Sequence, residues 1–195
     1  MNYYHLTTLP QHNPELCILR DPPMGIENLS YMMSMGESIT KEYPPDACIR
    51  MSNKSKAMQL GGLVGNTHSL MIVHRLIKDL ILEHDQRHDV LEFLPLQIYN
   101  HKNRIASADY FIINPLGADS CLDLKKSVIK RDEDGSVISV KKMVLSKKLI
   151  DKKKAVFCPS EDSQNYIVRE DWVKKVKGLG LAEPNILGVA LEISD

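Results

Sequence analysis

FLPLQIYNHKNRIASADYFIINPLGADSCLDLKKSVIKRDEDGSVISVKKMVL, residues 93–145, decides the fold, because four strand-like runs alternate there with turn signals and no catalytic signature intrudes. FLPLQIY (93–99) contains Pro95, which has no amide hydrogen to give to a ladder and so suits an edge strand or a strand start. DYFIINPL (109–116) is nearly apolar throughout, the pattern of a strand covered on both faces, and is expected at the centre of a sheet. Asn114 and Pro115 close that run with a turn. LKKSVIKR and SVISVKKMVLS flank RDEDGS, which predicts a hairpin with Asp134 and Gly135 supplying the positive backbone angles of its turn. The stretch reads as a sheet built for its surface rather than a pocket built for chemistry.

Upstream, Leu70, Val73, Ile77, Leu80 and Ile81 recur at three- and four-residue steps, which predicts a long helix over about 69–84. Asn66, Thr67 and Ser69 are its candidate N-caps. The preceding glycines, Gly61, Gly62 and Gly65, fit neither GxxxxGK[ST] nor GxGxxG, so phosphate binding is not expected there. Pro10, Pro14, Pro22, Pro23, Pro44 and Pro45 limit the first 60 residues to short elements such as the strands YYHLT and ELCILR. YMMSMGESI (31–39) reads as a short helix ending near Gly36, its methionines filling core. Downstream, AVFCPS reads as a short strand and EDWVKKVKGLG as a C-terminal helix with Trp172 and Val176 on one face, closed by Gly178 or Gly180. ILGVALEI (186–193) is expected as a buried strand. The fold class is therefore α+β, a single domain over 1–195, with an irregular N-terminal lead-in (1–60) and a helix-plus-sheet core (61–195). Its sheet is expected to be mixed or mostly antiparallel.

The chain of 195 residues is 43% hydrophobic and 26% charged, with 25 basic and 25 acidic side chains, an ordinary globular composition. That balance gives no global pull toward nucleic acid or membrane, and neither is expected as a partner. The neutrality hides a pattern: residues 121–154 hold 11 basic and 5 acidic groups. Cys17, Cys48, Cys121 and Cys158 are widely spaced, without a CxxC pair, and read as buried or half-buried free thiols. No apolar run approaches the roughly 20 residues that span a bilayer. MNYYHLTTLPQHN lacks the basic and apolar regions of a signal peptide, so a cytoplasmic location is expected.

Candidate chemistry is sparse. His84 and His88 in HDQRH are four apart, as two zinc ligands on one helix face would be, and suggest a metal-dependent hydrolase as the alternative function. Against it, Asp85 is a carbon shorter than the glutamate such helices use, and no third ligand follows at a suitable spacing. His101 with Cys121 could form a base and a thiol nucleophile only if the fold brought them together. No GxSxG elbow is present. KKMVLSKKLIDKKK (141–154) could touch phosphates but lacks aromatic residues for base stacking, which leaves a solvated face or a docking patch for an acidic protein.

MNYYHL, MMSMGESI, GNTHSLMIVHRLIKDLI, EFLPLQIYNHKNR, DYFIINPLGADSCLDLKKS and YIVREDWVKKVKGLGLAEPNILGVALEI occur in an order that resembles a bacterial family of immunity proteins from polymorphic toxin systems, the imm-eleven group. The sharpest match is YFIINPLGADSCLDLKKS; LGGLVGN departs from the more acidic turn of the family. The resemblance implies a cytoplasmic antidote that binds a cognate toxin, encoded by a neighbouring gene, by stoichiometric inhibition without catalysis or cofactor. An interaction module with no toxin partner is the further alternative. The strongest local charge imbalance places the docking surface on Lys141, Lys142, Lys147, Lys148, Lys152, Lys153 and Lys154.

Overall fold

The computed structural model describes residues 1–8, 14–53, 56–181 and 189–195. In chain order, β1 (Tyr3–Leu6), β2 (Ile18–Leu19), α1 (Ser30–Ser34) and β3 (Cys48–Arg50) lead to β4 (Leu63–Asn66), β5 (Met71–His74) and α2 (Arg75–His84). A 3₁₀ turn at His88–Val90 precedes β6 (Leu91–Tyr99), β7 (Ile105–Pro115), β8 (Val128–Arg131), β9 (Val137–Lys142) and β10 (Val144–Ser146). Then come β11 (Val156–Phe157), β12 (Tyr166–Arg169), α3 (Glu170–Gly178), β13 (Val189–Ala190) and β14 (Glu192–Ser194). The class is α+β, and most strand pairs are antiparallel.

β7 is the axis of a six-stranded sheet in the order β2-β4-β5-β7-β6-β3, with β5 and β6 antiparallel beside it. Successive strand side chains leave opposite faces. Ile112 therefore joins Ile72, Leu94, Leu96 and Ile98 on one face, where Leu19, Ile26, Met33 and Ile39 close over them. Ile113 joins Met71 and Val73 on the other, against Ile77 and Ile81 of α2 and Trp172, Val173 and Val176 of α3. Cover on both faces is the reason for the unbroken apolar run of β7. A four-stranded sheet, β11-β12-β1-β13, meets the same helices through Leu6, Val156, Tyr166 and Val168. Its opposite face turns Tyr3, Phe157 and Ile167 toward Cys121, Leu122, Leu145 and Ile150. The helices thus lie in a core shared by two sheets, and the N-terminal 60 residues supply strands to both.

Where the sequence reading and the structure differ, pairing between distant segments decides. α2 starts at Arg75, later than the predicted 69, although Leu70 and Val73 sit at helical spacing with Ile77 and Ile81. Met71–His74 instead pairs with Tyr110–Ile113 of β7, which buries Met71, Ile72 and Val73 completely. The β-branched Ile72 and Val73 lose little by being extended. The N-cap is then His74, whose Nδ1 accepts the Leu76 N–H at 3.3 Å, and not Asn66, Thr67 or Ser69. FLPLQIY lies within the sheet, not at its edge, yet β3 pairs with it only from Gln97 onward; at Pro95 the outer flank is met by Tyr43, whose hydroxyl donates to the proline carbonyl at 2.7 Å.

The β8/β9 hairpin forms as predicted, but of its turn residues only Gly135 takes a positive φ, of 85°. Asp134 accepts the Ser136 N–H at 2.9 Å instead. In ILGVALEI, residues 186–188 lie outside the described residues, and Val189 and Ala190 form an exposed edge strand beside β1 rather than a buried one. Of the methionines in YMMSMGESI, Met33 of α1 is buried and Met35, which caps the end of α1, is exposed, so only part of that run fills core.

One buried anion fastens the N-terminal layer. Glu92 of β6 is 7% exposed, and its carboxylate accepts from Ser38 Oγ (2.5 Å), Thr40 Oγ1 (2.5 Å), the Ile39 and Thr40 amides (3.2 and 3.1 Å) and Asn114 Nδ2 (2.7 Å). Burial alone would push the acid up, but these donors outweigh it and hold the carboxyl below the usual glutamate value.

A lysine-rimmed cleft as the candidate functional site

The turn from β10 to β11 carries most of the lysine run, and its shape is set from inside. Arg169, 8% exposed, forms a two-pronged pair with Asp171 at 2.6 and 3.0 Å and donates Nη1 to the Lys152 carbonyl at 2.6 Å. Asp151 accepts from Arg87 Nη1 at 3.2 Å and from the Lys153 amide at 3.0 Å. At the other end the Lys147 amide donates to the Ser194 carbonyl at 3.0 Å, where β14 runs parallel to β10. A turn tied at both ends and in the middle is already in one shape before anything binds, which removes part of the ordering cost of recognition.

The lysines named from the sequence separate into three kinds. Lys154 is structural: its Nζ lies 2.6 Å from Asp119, and 12% of its side chain is exposed. Lys142 and Lys147 are surface lysines paired with Glu192 at 2.8 Å and Asp195 at 3.1 Å. Lys141, Lys148, Lys152 and Lys153 are exposed and form no ion pair among the described residues. Lys147 and Lys152 come together on the rim of a cleft of about 450 Å³, whose floor is Tyr3, Ile150 and Ile193 with Met1 beside them. A hollow of about 540 Å³ adjoins it, bounded by the same two lysines together with Lys148, Ile150 and Asp195. The Lys147 ammonium hydrogen-bonded to it, with Lys126 and Lys148 nearby, holds the Asp195 carboxyl below the usual carboxylate range. Burial pushes the Tyr3 phenol up, so it is a neutral hydroxyl at ordinary pH. The arrangement is an apolar floor inside a positive rim, suited to recognition by surface.

The other candidates are not assembled. α2 ends at His84, and Asp85 is extended (φ −89°, ψ 116°), so His88 begins the next turn instead of sharing a helix face with His84. Asp85 is a fastener: its carboxylate accepts the Arg87 amide and the Ala155 amide, both at 2.8 Å. Among the described residues no group of three His, Cys, Asp or Glu side chains could hold a metal ion. Cys121 is fully buried, with its thiol pushed up to about 12 by desolvation, and His101 sits in the turn at the far end of β7 with neither ring nitrogen hydrogen-bonded among the described residues. Gly62 is a packing position, since a Cβ there would lie 3.0 Å from Leu181 and 3.1 Å from Ile77. A further cleft, of about 310 Å³, runs between Tyr31, Met33 and Ser34 of α1 and Cys158 and Tyr166, with His68 its one titratable nitrogen.

The sequence reading located the lysines and missed the floor and the fasteners. Charge counting finds a basic block because it is contiguous; Tyr3, Ile150 and Ile193 are brought together by the β1/β13 and β10/β14 pairings and leave no local mark. Arg169 had one signal available, a basic residue inside the otherwise apolar run YIVR. No helix of the described residues is long and apolar enough to cross a membrane. The family model of an immunity protein family, Imm11, matches residues 11–183. No curated protein matches the chain.

Proposed function

The chain belongs to the immunity protein family Imm11, and from that premise we propose that it binds and neutralises a cognate bacterial toxin by one-to-one protein–protein inhibition in the cytoplasm. The family membership carries this reading; the preorganised basic turn supports a docking role for that face. Inhibition of this kind needs a rigid surface that covers or distorts the toxin's active site, with a few buried anchors providing affinity and charge setting association rate and specificity. It needs no catalytic group and no cofactor. The chain acts as a single domain, and the docking surface is the lysine face, with Lys148, Lys152 and Lys153 its accessible charges, Lys141, Lys142 and Lys147 flanking them, and Lys154 holding the turn in place.

The test is to express the neighbouring gene in a sensitive host with and without this protein. Growth arrest that this protein relieves supports the proposal. A neighbour that is harmless, or that kills equally in both cases, removes it in favour of an interaction module with another partner.

A further inference from the structure

The lysine face does more than offer positive charge, because its rim surrounds an apolar floor. We propose that this cleft takes an acidic segment of the toxin that carries an apolar side chain, and that Asp195 occupies the place of the incoming carboxylate until the partner displaces it. The proposal rests on the immunity reading for its partner and on the cleft for its chemistry.

The chain's own β14 shows which pattern this surface accepts. Glu192 pairs with Lys142 at 2.8 Å, Ile193 packs into the cluster around Tyr3 and Ile150, and Asp195 pairs with Lys147 at 3.1 Å. Within the cleft itself, Ile193 and, two positions on, Asp195 thus set an apolar group beside Ile150 and an acid on Lys147, while the Glu192–Lys142 pair lies outside its lining. The last of these contacts is open to exchange: the Asp195 side chain is 99% exposed and that of Lys147 60%, so water competes for both throughout. A partner carboxylate that also brings an apolar group onto Ile150 and Ile193 gains burial that Asp195 does not supply. A nucleic-acid strand fits less well. Tyr3 is 3% exposed and offers no face for stacking, while Asp195 on the rim repels phosphates.

The experiment is an amide NMR titration of the intact protein with three blocked pentapeptides: Asp-Glu-Leu-Asp-Glu, its neutral form Asn-Gln-Leu-Asn-Gln, and Asp-Glu-Ser-Asp-Glu. The first is expected to bind saturably with shifts at Tyr3, Lys147–Lys153 and Ile193, and the other two about tenfold more weakly or not at all. Combined Lys147→Gln, Lys148→Gln and Lys152→Gln, all at exposed positions, should weaken it about tenfold, whereas Asp195→Asn should tighten it by removing the resident carboxylate. Equal behaviour of the three peptides, or unchanged affinity in Asp195→Asn, overturns the proposal. So does a mixed-sequence single-stranded DNA that shifts the same amides at lower concentration than the leucine peptide. Toxin neutralisation does not enter this titration. A failed titration with intact neutralisation therefore removes the cleft and keeps the immunity reading, and binding of the leucine peptide without neutralisation keeps the cleft and removes its toxin partner.

Discussion

Replacing Glu92 by glutamine should destabilise the protein far more than the loss of one atom's charge on a surface would. The carboxylate is an acceptor on both oxygens: one collects Ser38 Oγ, Thr40 Oγ1 and the Thr40 amide, the other Asn114 Nδ2, with the Ile39 amide shared between them. Glutamine keeps one acceptor and turns the other into an NH₂ that faces the Asn114 NH₂. Asn114 cannot relieve the conflict by flipping without losing its 2.9 Å bond to the Glu37 carbonyl. One or two charge-assisted bonds are lost and a buried donor is left unpaired, together about 2–4 kcal/mol, or about 5–15 °C in Tm for a chain of this size. The pH dependence follows from the depressed acid. Its stabilisation is complete above the unfolded glutamate value of about 4.3 and is lost as pH falls through the lower folded value. Urea unfolding of wild type and Glu92→Gln at pH 7, and again below pH 4, checks this. The gap should be wide at pH 7 and narrow in acid; a variant within about 0.5 kcal/mol of wild type at pH 7 would falsify the reasoning.

Three further outcomes follow from the same geometry. Lys154→Met should cost about 2–3 kcal/mol by leaving Asp119 largely buried without its cation, whereas Lys152→Met and Lys153→Met should leave the urea midpoint unchanged. Gly36→Ala should destabilise strongly, because φ is 71° there and a Cβ would lie 2.9 Å from the Gly117 backbone; about 1–2 kcal/mol comes from the backbone angle alone, and a Tm near that of wild type would contradict it. With a thiol reagent at pH 8, half-buried Cys48 should react first, while Cys17, pushed up to about 11 by burial, and Cys121 and Cys158, also raised by burial, react only as the protein opens. Rapid modification of all four would show that the core is not closed.

Local and non-local information divide cleanly in this chain. The centre of the large sheet and the β8/β9 hairpin were legible because an apolar run and a turn ending in glycine are properties of neighbouring residues. The start of α2 was not, since the residues around Met71 suit helix and strand alike, and β7 supplies the partner that decides. ILGVALEI looked buried from its composition; its Val189–Ala190 part lies exposed on a sheet edge among the described residues, an arrangement no local pattern encodes. At the site, the lysine run was visible as charge, yet Lys154 cannot be told from Lys153 without knowing that Asp119 arrives beside it. The cleft floor was hidden for the same reason, because Tyr3, Ile150 and Ile193 meet only after both ends of the chain have joined their sheets.

The most direct test of the central claim is a calorimetric titration of this protein with the purified product of the toxic neighbouring gene, at low salt, for wild type and for a combined Lys148→Glu, Lys152→Glu and Lys153→Glu variant. Wild type should form a one-to-one complex, and the variant, with an unchanged circular dichroism spectrum, should bind about 10- to 1,000-fold more weakly. A complex of undiminished affinity would contradict the lysine face as the docking surface, and no complex with wild type would contradict the account of this protein as a toxin-binding inhibitor.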